Sequence, residues 1–117
     1  MRYDPGRKLT EYLPYDIRTA DEFLARYGWR LRYANARWLI YCDGRWRIDG
    51  DNVSIVELFE EFRASLLTEA KQIPDMRFRR HACRRVAHLG SLPLLNRILR
   101  IANARDVVAI PEGLYYA

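Results

Sequence analysis

Arg37-Trp38-Leu39-Ile40-Tyr41-Cys42-Asp43-Gly44-Arg45-Trp46-Arg47-Ile48-Asp49 is the stretch on which the fold turns. Two β-rich runs flank Asp43-Gly44, a pair that reads as a two-residue hairpin turn because both residues tolerate positive φ. Such a turn sets Cys42 opposite Arg45, Tyr41 opposite Trp46 and Leu39 opposite Ile48. Alternation then gives one face with Leu39, Tyr41, Trp46 and Ile48, expected in the core. The other face carries Trp38, Ile40, Cys42, Arg45 and Arg47 and is half apolar, half basic. A one-residue slip would exchange the two faces. Upstream, Trp29-Arg30-Leu31-Arg32-Tyr33 alternates strictly and supplies a third strand, completing an antiparallel meander.

Helical periodicity holds on both sides of the meander. Before it, Thr19 and Glu22 have the spacing of a capping box; Phe23, Leu24 and Tyr27 form a short apolar face, and Gly28 is a natural stop. Residues 1–18 lack periodicity and read as an irregular arm, leaving 19–117 as one domain. After the meander, Ile55, Leu58, Phe59, Phe62, Leu66, Ala70 and Ile73 recur at helical spacing over 53–73. Asp51, Asn52 or Ser54 can cap this helix, and Pro74 ends it. Its outer face carries Glu57, Glu60, Glu61 and Glu69, which reads as a solvated acidic face. Asp75 can cap a helix over about 76–89, and Ser91 another, with Pro93 in its first turn. Leu95, Ile98, Leu99 and Ala102 form the apolar stripe of the last helix, and Val107-Val108-Ala109-Ile110 reads as a short closing strand. The fold class expected is α+β: a short N-terminal helix, a three-stranded antiparallel meander, then three helices packed on one sheet face.

The chain has 117 residues, half of them apolar, which suits one domain with a real core. No apolar run approaches the roughly 18 residues of a membrane span. The start, Met1-Arg2-Tyr3-Asp4-Pro5-Gly6, lacks the apolar region of a secretory signal. A soluble cytoplasmic protein with no membrane partner is therefore expected, and Cys42 and Cys83 read as free thiols.

Charge is unevenly placed. The net charge is +5, and only Lys8 and Lys71 among the 20 basic residues are not arginine. Residues 48–75 sum to −5, whereas residues 76–105 hold eight arginines and no acid at all. On the helix at 76–89, Phe78, Ala82, Val86 and Leu89 span an arc of roughly 80°. Arg77, Arg80, His81, Arg84 and His88 span roughly 100° on the far side. Like charges at this spacing oppose the helix, so a stripe that accepts them either pairs elsewhere or uses its field. A nucleic-acid backbone matches such a stripe. The alternative is internal neutralisation by the acidic face of the helix at 53–73. Trp38 beside Arg45 and Arg47 suggests a stacking platform that extends the track, unless a helix covers Trp38.

Other chemistry is poorly served. His81 and His88 are too far apart to share a metal, and Arg84 fills the gap. Glu60-Glu61 and Asp21-Glu22 diverge on a helix, and no Gly-rich loop with Lys-Ser/Thr occurs. No catalytic residue, metal or cofactor is expected.

Thr19-Ala20-Asp21-Glu22-Phe23-Leu24-Ala25-Arg26-Tyr27-Gly28, Leu31-Arg32-Tyr33, the hairpin from Trp38 to Asp49 and Gly90-Ser91-Leu92-Pro93-Leu94-Leu95 follow one another in a distinctive order. Together they resemble the helicase-preceding domain of phage and plasmid primase–helicases, also found in poxvirus-like replicative helicases. The resemblance spans roughly residues 19–112 and differs at the hairpin tip, where Cys42 reads as an insertion. It implies a module that links a primase to an ATPase and engages nucleic acid or helps assemble the helicase ring. The expected function is a non-enzymatic nucleic-acid-binding accessory module of a phage or plasmid replication system. Arg77, Arg80, His81, Arg84, Arg45, Arg47 and Trp38 would form its contact surface, with DNA preferred over RNA. A helicase or primase subunit is an expected protein partner. The rival expectation is a mobile-element interaction module that inhibits a host nucleoprotein complex or defence system.

Overall fold

The computed structural model describes residues 15–109. The elements run α1 (Tyr15–Tyr27), β1 (Leu31–Ala34), β2 (Arg37–Cys42), β3 (Arg45–Asp49), α2 (Val53–Lys71), α3 (Met76–His88) and α4 (Leu92–Ala102). The three strands form one antiparallel sheet in the order β1-β2-β3, and the fold is α+β.

The hairpin register is the one the sequence predicts: Cys42 pairs with Arg45, Tyr41 with Trp46, and Leu39 with Ile48. Asp43 and Gly44 take φ of 52° and 81°, the paired left-handed geometry that matches strand twist. The β1–β2 turn has the same form at Asn35 and Ala36, with φ of 54° and 61°. Glycine is absent there, so Ala36 bears a Cβ in a region that disfavours one.

The face that α2 covers is the reverse of the expectation, although Leu39, expected inside, is itself only 5% exposed. Trp38 and Ile40 belong to the core with Leu31, and Trp38 is 3% exposed. Ile48, expected inside, is 53% exposed. The reason lies in Asp49, which pairs with Trp38 and so shares its face. Its carboxylate accepts hydrogen bonds from Ser54 N at 3.1 Å and Ile55 N at 2.7 Å. The chain leaving β3 is thereby held over the Trp38 face, and α2 lands there. Register fixes which residues share a face, but the chain's exit fixes which face is covered. Asn52 stands at the N-cap position in a left-handed conformation and its side chain makes no cap, while Asp51 accepts from Val53 N at 3.2 Å.

The core then fills in layers. Phe23 of α1 meets Phe59 and Phe62 of α2, with ring centroids 5.3 and 5.4 Å apart. Leu58 and Ile55 join the inner sheet face, and α2 contacts β2 and β3 directly. Phe78, Ala82, Val86 and Leu89 are buried as predicted, and α3 packs along α2. Leu94, Leu95, Ile98 and Ala102 are buried as α4 packs along α1. Arg97 of α4 pairs with Asp16 of α1, and Arg105, just past the end of α4, pairs with Asp21 of α1.

Two further expectations are corrected. Residues 15–18 are helical, so Thr19 lies inside α1 and cannot cap it. Its hydroxyl is buried without a hydrogen-bond partner, and Glu22 pairs instead with Arg26 at 2.8 Å. The rest of the expected arm, residues 1–14, lies outside the described residues. The closing strand at 107–110 is replaced by a 3-10 turn over Asp106–Val108 and a single bridge between Tyr33 and Ala109. Val108 is fully buried, so its apolar side serves as a plug and no ladder is needed. Ile110 lies outside the described residues. No described helix is long and apolar enough to cross a membrane.

Candidate nucleic-acid interface

The third helix owes its start to Asp75, whose Oδ1 accepts from Phe78 N at 2.9 Å. That cap fixes the helical phase and puts Phe78, Ala82 and Val86 against α2. Arg77, Arg80, His81 and Arg84 follow on the opposite side, and all four are exposed. Residues three and four apart on a helix stand about 5–6 Å apart at Cβ, so the four form one continuous patch. His81 also touches Phe78 edge-on, ring centroids 6.2 Å apart. Arg79 and Arg85, their neighbours in sequence, are half-buried; Arg79 donates to Ile73 O at 3.0 Å.

Among the described residues the expected internal neutralisation of this patch is not seen. Among the described residues no carboxylate pairs with Arg77, Arg80 or Arg84. Two of the four acids of α2 are ion-paired elsewhere, and Glu57 and Glu61 line a cleft with Arg30 and Arg47. Glu60 pairs with Arg63, one turn away on the same helix, at 2.6 Å. Glu69 pairs with Arg26 of α1 at 2.7 Å, so it is no free surface charge. Arg26 is the hub of that contact. It also donates to Glu22 and to Ser65 Oγ, and lies 5.6 Å from the Phe62 ring centroid. Partial burial works against the Arg26 charge, but the hydrogen bonds to Glu69 and Glu22 outweigh it and raise its pKa. The hydrogen bond to Glu60 likewise raises that of Arg63. Burial raises the Tyr27 phenol, and the nearby Glu61 carboxylate adds to the effect.

The hairpin residues expected to extend the track are not gathered into it. Trp38 is in the core and cannot stack on a ligand. Arg45 and Arg47 are exposed, on the face that looks toward α2. Arg47 lines a cleft of 530 Å³ with Arg30, Asp51, Glu57 and Glu61, so its field is balanced by acids.

The outer sheet face supplies what the sequence reading missed. Trp29 is 66% exposed, and its ring lies 6.4 Å from that of Tyr41. Tyr41 in turn meets Trp46 at 5.3 Å. The Arg32 guanidinium sits 5.2 Å from the Trp46 ring centroid. The alternation of Tyr41 and Trp46 was visible, but the exchange of faces turned them outward. Among the described residues no three His, Cys, Asp or Glu side chains group as metal ligands would, and both cysteines are free. The chain matches no protein-family model, no curated protein and no solved structure.

Proposed function

We propose that the protein is a non-enzymatic nucleic-acid-binding module whose α3 patch grips the phosphate backbone. Its place in a phage or plasmid replication system is proposed from the primase–helicase resemblance of residues 19–112. The observation that carries the binding reading is that Arg77, Arg80 and Arg84 are exposed and have no carboxylate partner among the described residues, although α3 lies beside the acid-bearing α2. Arginine presents a planar fork that matches phosphate oxygens, and a solvated patch of it releases counterions from a polyanion on contact.

A salt titration of binding to labelled single- and double-stranded DNA tests this. Wild-type affinity should fall steeply with salt. In the Arg77→Ala/Arg80→Ala/Arg84→Ala variant the log–log slope should become shallower by roughly 2–3, about one per lost phosphate contact. Unchanged affinity and slope in that variant would remove α3 as the interface.

A further inference from the structure

We propose that the cleft between the hairpin and α2 is a second binding site, which takes a short apolar peptide, a dipeptide in length, by its two charged ends. The site shares no residue with the α3 patch and stands whether or not that patch binds nucleic acid. The cleft holds 530 Å³, within the roughly 300–1,000 Å³ usual for small-molecule sites. Its floor is aliphatic, with Ile40 of β2 and Leu58 of α2 both buried. Its walls are charged and opposite in sign. Arg47 stands on β3, and Glu57 and Glu61 stand on successive turns of α2.

The other charges around the cleft are already committed. Asp49 gives both carboxylate oxygens to the backbone N–H groups of Ser54 and Ile55, and Asp51 accepts from Val53 N. Arg30 donates to Tyr41 O at 3.4 Å and lies against the Trp29 ring. Arg47, Glu57 and Glu61 remain. All three are exposed, and among the described residues none of them joins an ion pair. One guanidinium and two carboxylates thus share a cleft without closing on each other. A ligand that satisfies them brings an ammonium to the glutamates and a carboxylate to the arginine. Residues four apart on a helix stand about 5–6 Å apart at Cβ, so one ammonium can bridge both glutamates with its three donors. The arginine fork meets a carboxylate with two parallel hydrogen bonds. The open gap sets the ligand's length. A single α-amino acid carries both charges on one carbon, whereas the ends of an extended dipeptide lie about 7 Å apart. Apolar side chains between those ends rest on Ile40 and Leu58.

Calorimetric titration of the full chain with leucyl-leucine tests this, beside its N-acetyl form, its C-terminal amide and free leucine. Leucyl-leucine should saturate the protein. Each of the other three should bind at least about tenfold more weakly, since a hydrogen bond to a charged group contributes at least that factor. The Glu57→Gln/Glu61→Gln variant should no longer distinguish leucyl-leucine from its N-acetyl form, and Arg47→Gln should no longer distinguish it from the amide. Occupancy should also slow maleimide labelling of Cys42, a free thiol in the cleft wall, in a Cys83→Ser background. The α3 triple variant should bind leucyl-leucine as wild type does, so failure of the α3 reading and of this one are separable. The site would be overturned if leucyl-leucine fails to saturate by about 10 mM, a constant weaker than ordinary ligand efficiency gives a molecule of its size. Equal binding by wild type of either capped form or of free leucine would also overturn it, as would labelling of Cys42 that saturation leaves unchanged.

Discussion

Helices α2 and α3 lie side by side with opposite charge, yet they do not neutralise one another. Of the acids of α2, Glu60 pairs with Arg63 on the same helix and Glu69 with Arg26 of α1, while Glu57 and Glu61 line the cleft with Arg30 and Arg47. The arginines at 77, 80 and 84 stay in water. The cause is helical phase. The side of α3 that meets α2 is Phe78, Ala82 and Val86, so the residues half a turn away cannot reach across the seam. Neighbouring elements of opposite charge thus need not form salt bridges; their apolar stripes decide where each charged face looks. An apolar seam holds α3, and its cationic face remains available.

That contrast can be broken most severely at the seam. Phe78→Ala should cost about 3 kcal/mol, the low end for a phenylalanine because part of the ring edge meets solvent. Urea denaturation should show the loss as a lower midpoint. A change under about 1 kcal/mol would mean that α3 is anchored by something other than this stripe. Next in size is the pairing that occupies Glu69. Arg26→Ala should cost about 1–2 kcal/mol, discounted because the group is partly solvated. Arg26→Lys keeps the charge but cannot reach Glu22, Ser65 and Glu69 at once, so it should recover only part of the loss. Full recovery by lysine would show that charge alone, without the fork, sustains the contact.

Much of this arrangement was legible in the sequence, and its gaps have definite causes. The helical stripes at 53–73 and 76–89, the caps at Asp75 and Ser91 and the hairpin register follow from local rules. The sheet's buried face did not, because pairing is indifferent to which side a helix covers. Asp49 decided that, through bonds to Ser54 and Ile55 that no single-residue preference announces. A strand-terminal Asp followed by a helix is the signal that could have exposed the exchange. The Thr19–Glu22 spacing misled for a similar reason. A capping box specifies a helix start only if the helix starts there, and α1 is already under way at Tyr15. The basic patch was legible as a pattern, but its unpaired state depends on where Glu60 and Glu69 turn, which is a tertiary fact.

The smallest expected effect is the most discriminating. If Arg77, Arg80 and Arg84 have no carboxylate partner, replacing all three with alanine should leave stability unchanged or raise it. Arg80 and Arg84 repel at i,i+4, as do Arg77 and Arg80 at i,i+3, at a few tenths of a kcal/mol per pair. Alanine also has the higher helix propensity, by a further tenth or two per site. Against this stands some loss of the apolar stems that lie along the helix surface. The net expectation is a gain of about 0.5 kcal/mol at low salt. Wild type should gain stability as salt screens the repulsion, and the variant should gain less, bringing the two together near 1 M, where the screening length is about 3 Å. A loss above about 1 kcal/mol at low salt would instead mean that the arginines act in the folded chain as ion-pair partners. The same three residues would then be structural, and their effect on binding would no longer report on phosphate contact.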